Sequence, residues 1–136
     1  ISVDEALGHV WGYAVGLDMT RRDLQMKMRE MGRPWELGKA FDQSGPIGPM
    51  HPAASVPNVE KAAITLDVDG VRKQASNLNK LIWSVAETVS YLSKYFRLEP
   101  GDIIYTGTPE GVGPVVAGQT MVGTIEGLGS ITVKVV

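Results

Sequence analysis

The longest apolar stretch near the start of the chain, "VWGYAVGLDM" (Val10 to Met19), has the pattern of a buried strand, and it closes on an acid, Asp18. Ser2 and Glu5, ahead of it, have capping-box spacing and predict a short opening helix. Behind it, Thr20 with Asp23 predicts a helix start, Gly32 its close, and Pro34 prevents continuation, giving a helix of about Arg21 to Met31. From Trp35 to Pro57 prolines and glycines break every period. That segment is expected to be a long irregular excursion of the kind that usually carries function.

The second half returns to regular patterns. "AITLDVDGVRKQASN" places Asp69-Gly70 between two alternating runs, the signature of a hairpin with a type I′ turn. Ser84 and Glu87 form a second capping box ahead of "VAETVSYLSKYF", where Val85, Val89, Leu92 and Phe96 recur at helical spacing. A Pro-Gly turn then leads to a predicted short strand, Ile103 to Thr106, and a Gly/Pro-rich loop; "TMVGTIEGLGSITVKVV" predicts two more strands. Together these patterns predict a strand-rich α+β domain with two or three short helices.

Composition changes this picture little. With 136 residues, 43% of them hydrophobic and 21% charged, the chain is expected to form one soluble globular domain over residues 1–136. A net charge of -2 gives no reason to expect a nucleic-acid or membrane partner. No apolar run approaches the length of a membrane helix, and the first residues lack the pattern of a targeting signal. The absence of cysteine fits a reducing compartment, and the cytoplasm is the expected location.

Several residues could carry chemistry. A carboxylate at a strand end, Asp18, suits a hard cation such as Mg²⁺ or Mn²⁺. On the physics of the sequence alone, the commoner use of such an acid is to bond N–H groups of the following helix. Arg22 and Gln25 fall on one helix face, and their polar ends suit the oxygens of a small acid, although solvated surface is the usual fate of such a pair. Arg21 and Asp23 are given no chemistry. Lys39, between a glycine and apolar neighbours, could steady a developing enolate if partly desolvated. "TGTP" (Thr106 to Pro109) offers hydroxyls at a strand end but is no Walker motif. His9 and His51 have no metal-ligand spacing, and there is no G-x-S-x-G elbow.

Four stretches in order, "GYAVGLDMTRRDLQ", "GRPWELGKAFDQSGPIGP", "LEPGDIIYTGTPEGVGPV" and "GLGSITVKV", resemble the C-terminal part of the fumarylacetoacetate hydrolase family domain over essentially the whole chain. The resemblance implies a mixed β-roll, bound Mg²⁺ or Mn²⁺, a dimer, and cleavage of a C–C bond in a small β-dicarbonyl acid of acylpyruvate type. It makes Asp18 a metal ligand, Arg22 and Gln25 a substrate-contacting pair, Lys39 a catalytic and substrate-binding lysine, and Thr108 a substrate contact. Two stretches, "VDEALGHVWGYAVGLDMTRRDLQ" and "GKAFDQSGPIGP", most resemble the members that cleave fumarylpyruvate to fumarate and pyruvate in gentisate breakdown. Decarboxylation of an oxaloacetate-like acid, isomerisation of a hydroxymuconate-type diacid, and a non-catalytic binding subunit are the alternatives.

In that family the remaining metal carboxylates come from an upstream Glu-x-Glu strand and the water-activating His-Glu pair from a lid earlier still. Neither motif occurs in this sequence; Asp4, Glu5 and His9 do not match them. The expectation is therefore a portion of a longer parent enzyme, with the N-terminal part of the fold absent and an N-terminal fragment able to complete it. Intact-mass measurement is expected to find a species heavier than 14.6 kDa, or a companion fragment. A lone 14.6 kDa species traced to a gene of that length would sink the expectation.

Overall fold

The turn at Asp69-Gly70 organises the main sheet. Both residues take positive φ, 50° and 78°, as a type I′ turn requires. Strand β3 (Ala63–Val68) therefore returns directly as β4 (Val71–Asn77). The computed structural model, which describes residues 1–136, pairs β3 on its other side with β5 (Thr120–Ile125), and β5 with β6 (Gly129–Lys134). The order is β4-β3-β5-β6, antiparallel throughout. The fold is α+β, with this sheet, a small second sheet and a few short helices, as the sequence pattern predicts.

The core lies on the face of β5 that carries Met121, Gly123 and Ile125, all buried. Val15 packs with Ala62, Ile125 and Leu128, while Leu17 packs with Val68 and Met121. Gly123 gives close packing there: a Cβ on it would lie 3.0 Å from Leu17 Cδ2 and 3.6 Å from Val15 Cγ1.

The expected regular strand over Val10 to Met19 is not formed. Only β1 (Gly12–Tyr13) is a strand, paired with β2 (His51–Pro52). Beyond it the register slips by one residue, to a bridge between Gly16 and Ile47. The chain then continues as an irregular ladder in which Leu17 N–H donates to Pro46 O (2.9 Å), Gly48 N–H to Val15 O (2.8 Å) and Met19 N–H to Ser44 O (2.8 Å). The partner explains the irregularity, because Pro46, Pro49 and Pro52 have no N–H to give. The same pairing corrects the expectation for Trp35 to Pro57, much of which is organised: it contains the one-turn helix α3 (Glu36–Lys39) and the returning strand of the ladder.

The opening helix, α1 (Val3–Ala6), is a single turn, and Ser2 bonds the Glu5 carboxylate (2.6 Å) without capping the helix. Helix α2 spans Arg22–Glu30. Its end is a Schellman motif: Gly32 takes φ 63°, its N–H donates to Arg29 O (3.0 Å), and Arg33 N–H donates to Met28 O (2.9 Å). Its start differs from expectation, since Arg21 sits at the N-cap with no side-chain cap. The hydroxyl of Thr20 is engaged elsewhere, by Lys39.

Helix α4 (Val85–Leu92) carries the full Ser84–Glu87 capping box. Its hydrogen bonds to Ser84 hold the Glu87 carboxyl below its ordinary pKa. The helix buries Val89 and stops before Phe96, which is 64% exposed and outside the predicted stripe. Ile103 to Thr106 pairs with no other strand, so the short strand expected there is absent. No helix is long and apolar enough to cross a membrane.

Leu17 ties the ladder to the main sheet. Leu17→Ala is expected to destabilise the fold by about 2–4 kcal/mol, read as a lower urea midpoint; an unchanged midpoint would show that the ladder does not depend on this contact.

Candidate functional site

With Val15 and Leu17 turned into the core, the period of an extended chain turns Gly16 and Asp18 to the other face. The Tyr105 ring lies against Gly16, where an added Cβ would come 2.7 Å from Cε1, and against Gly45, where it would come 3.0 Å from the hydroxyl oxygen. The Tyr105 hydroxyl donates to Gly45 O at 2.7 Å. Burial, with a smaller contribution from the Asp18 charge, pushes the Tyr105 phenol above its ordinary pKa. Tyr105 thus lies within electrostatic reach of Asp18 and pins both strands of the ladder beside it.

Lys39, the last residue of α3, reaches Asp18. Its Nζ lies 2.5 Å from Asp18 Oδ1 and donates to Thr20 Oγ1 at 2.9 Å. Both charged side chains remain about one-third exposed, 33% for Lys39 and 39% for Asp18. A pair that open to water contributes little to stability.

Gly38 makes that reach possible. A Cβ on Gly38 would lie 2.8 Å from Gln25 N and 3.0 Å from Arg21 O, both backbone atoms of the α2 start. The absence of a side chain lets α3 dock directly on the first turn of α2, and Arg21 N–H donates to Gly38 O at 2.9 Å. In that turn Arg22 Nη1 donates to Gln25 Oε1 at 2.5 Å, with Gln25 buried and Arg22 exposed. Arg21, given no role from sequence, lies with its guanidinium 4.3 Å from the centre of the Phe41 ring, a cation–π contact closing the back of the same unit.

The structure therefore joins Asp18, Lys39 and Thr20 by direct contacts, and places Arg22 and Gln25 on the adjoining helical turn. Thr108 belongs to a different attachment. Gln74 of β4 donates to its hydroxyl at 3.1 Å, and no hydrogen bond joins Thr108 to the Asp18–Lys39 pair. Sequence reasoning missed Gln74, Tyr105 and Gly38, and it misassigned Thr20. Gln74, buried opposite Leu66, left no clear signal either, because its alternate neighbours on β4, Arg72 and Ser76, are polar too.

The donor set here is incomplete for Mg²⁺ or Mn²⁺. No group of three or more His, Cys, Asp or Glu side chains is placed to hold a metal ion. Asp18 offers one carboxylate, and a cation, the Lys39 ammonium, already lies on its Oδ1. These residues match one ligand position and do not make a near-octahedral oxygen site by themselves.

The family described as fumarylacetoacetate (FAA) hydrolase, C-terminal, matches residues 1–136. A fumarylpyruvate hydrolase of a Ralstonia species is 50% identical over 135 residues, 99% of this chain and 70% of that protein. A mitochondrial oxaloacetate tautomerase of Homo sapiens is 42% identical over 130 residues, 96% of this chain and 59% of that protein. The crystal structure of fumarylpyruvate hydrolase from Pseudomonas aeruginosa in complex with Mn²⁺ and pyruvate superposes with a TM-score of 0.97 at 65% identity, covering 100% of this chain and 58% of that one. The chain thus spans between 58% and 70% of the length of these three proteins.

Because the atoms facing Gly38 are backbone, they cannot swing aside. Gly38→Ala is expected to destabilise the protein by about 1–3 kcal/mol and to draw Lys39 away from Asp18. Chemical denaturation together with a crystal structure of the variant checks this; an unshifted Lys39–Asp18 contact would refute it.

Proposed function

This chain belongs to the fumarylacetoacetate hydrolase family, and from that premise we propose that the protein carrying it hydrolyses an acylpyruvate, with fumarylpyruvate as substrate and fumarate and pyruvate as products. The observation that carries the reading is the Asp18–Lys39 pair, an acid and an ammonium 2.5 Å apart beside an exposed guanidinium. The fumarylpyruvate hydrolase relatives at 50% and 65% identity support the substrate.

In this proposal the exposed Arg22 binds a substrate carboxylate through its fork of N–H donors, and buried Gln25 holds the guanidinium in plane. Water adds to the acyl carbonyl, the C–C bond breaks, and its electron pair passes to the pyruvate half as an enolate that a proton then quenches. Lys39, steadied by Thr20, places positive charge where that enolate oxygen develops. Thr108 contributes a hydroxyl to the substrate. The base that activates water and the remaining metal carboxylates come from outside these 136 residues. Asp18 contributes one ligand to a bound Mg²⁺ or Mn²⁺, whose chemistry is Lewis-acid polarisation of keto-acid oxygens. Homodimerisation and a longer catalytic domain containing residues 1–136 belong to the same proposal.

The oxaloacetate tautomerase relative at 42% identity makes keto–enol conversion of oxaloacetate the rival reading. The intact protein, supplied with Mg²⁺ or Mn²⁺, is expected to remove the ultraviolet absorbance of fumarylpyruvate with stoichiometric release of pyruvate. Lys39→Met is expected to lower kcat by about 10²–10³-fold. Turnover of oxaloacetate with none of fumarylpyruvate would assign the rival reaction and overturn this one.

A further inference from the structure

Gln74 makes three contacts through one atom. It is buried, at 7% exposure, and stands next to a β-bulge: Leu66 pairs with Gln74 and Asp67 with Arg72, leaving Lys73 without a partner. The loop after Thr106 is pressed onto that bulge, since a Cβ on Gly111 would come 2.2 Å from Lys73 O. Gln74 Nε2 has two protons and three acceptors within reach, Pro109 O (2.6 Å), Thr108 Oγ1 (3.1 Å) and Glu110 O (3.3 Å), and the two shorter contacts take one proton each.

The two carbonyls fix which end of the amide faces the loop, because a reversed Gln74 would set its own oxygen against two acceptors. An amide nitrogen can only donate, so the Thr108 oxygen must accept. Its hydroxyl proton is thereby left to point away from Gln74. The reverse bond, from the Thr108 hydroxyl to Gln74 Oε1, would span 3.5 Å, too long for O–H···O to compete. Thr108 is itself exposed, so the free proton can turn to solvent and to a ligand entering from it.

We infer that Gln74 is a positioning residue that sets the hydrogen-bond polarity of Thr108, making it a donor to a negatively charged substrate oxygen, a carboxylate or an enolate. The inference rests on the reading, proposed above, that Thr108 touches substrate. It adds a residue outside the contact set and a direction to the bond. The Thr108 proton is then available to an acceptor oxygen of the substrate, and an anionic oxygen holds it more strongly than a neutral one.

The test is a double-mutant cycle on the intact protein, with whichever of fumarylpyruvate and oxaloacetate it turns over. Gln74→Leu and Thr108→Val are each expected to lower kcat/KM about tenfold, and the double variant by about the same factor, because both remove one oriented donor. Losses that multiply in the double variant would overturn the inference and leave the Thr108 contact standing. An unchanged kcat/KM in Thr108→Val would remove that contact and the inference together.

Gln74→Glu supplies an independent readout should Gln74→Leu not fold. A buried carboxyl keeps its proton to higher pH; protonated it still donates, ionised it only accepts. Activity of Gln74→Glu relative to the unsubstituted protein is expected to rise as pH falls, and this rise is expected to vanish when Thr108→Val is added. A flat ratio, or a rise that survives Thr108→Val, would reduce Gln74 to a support of the loop backbone.

Discussion

The two-residue period of an extended chain is the constraint on which this site depends. Once Val15 and Leu17 are buried against the main sheet, Asp18 has no choice but to face outward. Gly123 lets Leu17 approach β5, and Gly16 and Gly45 let the hydroxyl end of the Tyr105 ring approach the ladder. The acid is positioned by what its neighbours bury, rather than by contacts of its own with the core.

The backbone partner of that segment determines which groups meet Asp18. The chain leaves it through α2, turns at Gly32, and must come back alongside as residues 44–48. Between departure and return lies α3, and its docking on α2 is set by Gly38. Lys39 arrives at Asp18 for that reason. Pro46, Pro49 and Pro52 in the returning segment weaken the ladder as a regular sheet, yet the alternating carbonyl acceptors survive, and Pro46 O still takes the Leu17 N–H. An irregular ladder leaves one face open for a ligand without giving up the register that places the acid.

Local signals in the sequence were legible and the long-range ones were not. The Asp69-Gly70 hairpin, the Ser84–Glu87 capping box, the body of α2 with its Gly32 stop, and the final hairpin all follow from interactions between residues close in sequence. The ladder does not, because its partner strand is rich in proline and glycine, which erases the alternation by which a strand is read. Thr20 looked like a helix cap for the same local reason, and lost that role to a lysine nineteen positions away. Of the candidate residues, Asp18 and Lys39 are brought into contact and Arg22 bonds Gln25. No pattern could announce Tyr105 or Gly38, whose roles exist only where distant segments touch.

Two buried amides complete the logic of the site. Gln25, at 8% exposure, turns its carbonyl end to Arg22; Gln74, at 7%, turns its amino end to Thr108. The ends differ because the groups they orient differ. A guanidinium carries only donors and is steadied by an acceptor, whereas a hydroxyl can do either and must be made to accept inside so that it donates outside. Both arrangements leave donors facing outward, the polarity an anionic acid requires. Neither amide titrates, so this polarity holds across the pH range in which carboxylates and imidazoles change charge. In the proposed reading Lys39 supplies positive charge to an enolate oxygen and Asp18 a metal ligand, while the uncharged amides decide which way the remaining hydrogen bonds point.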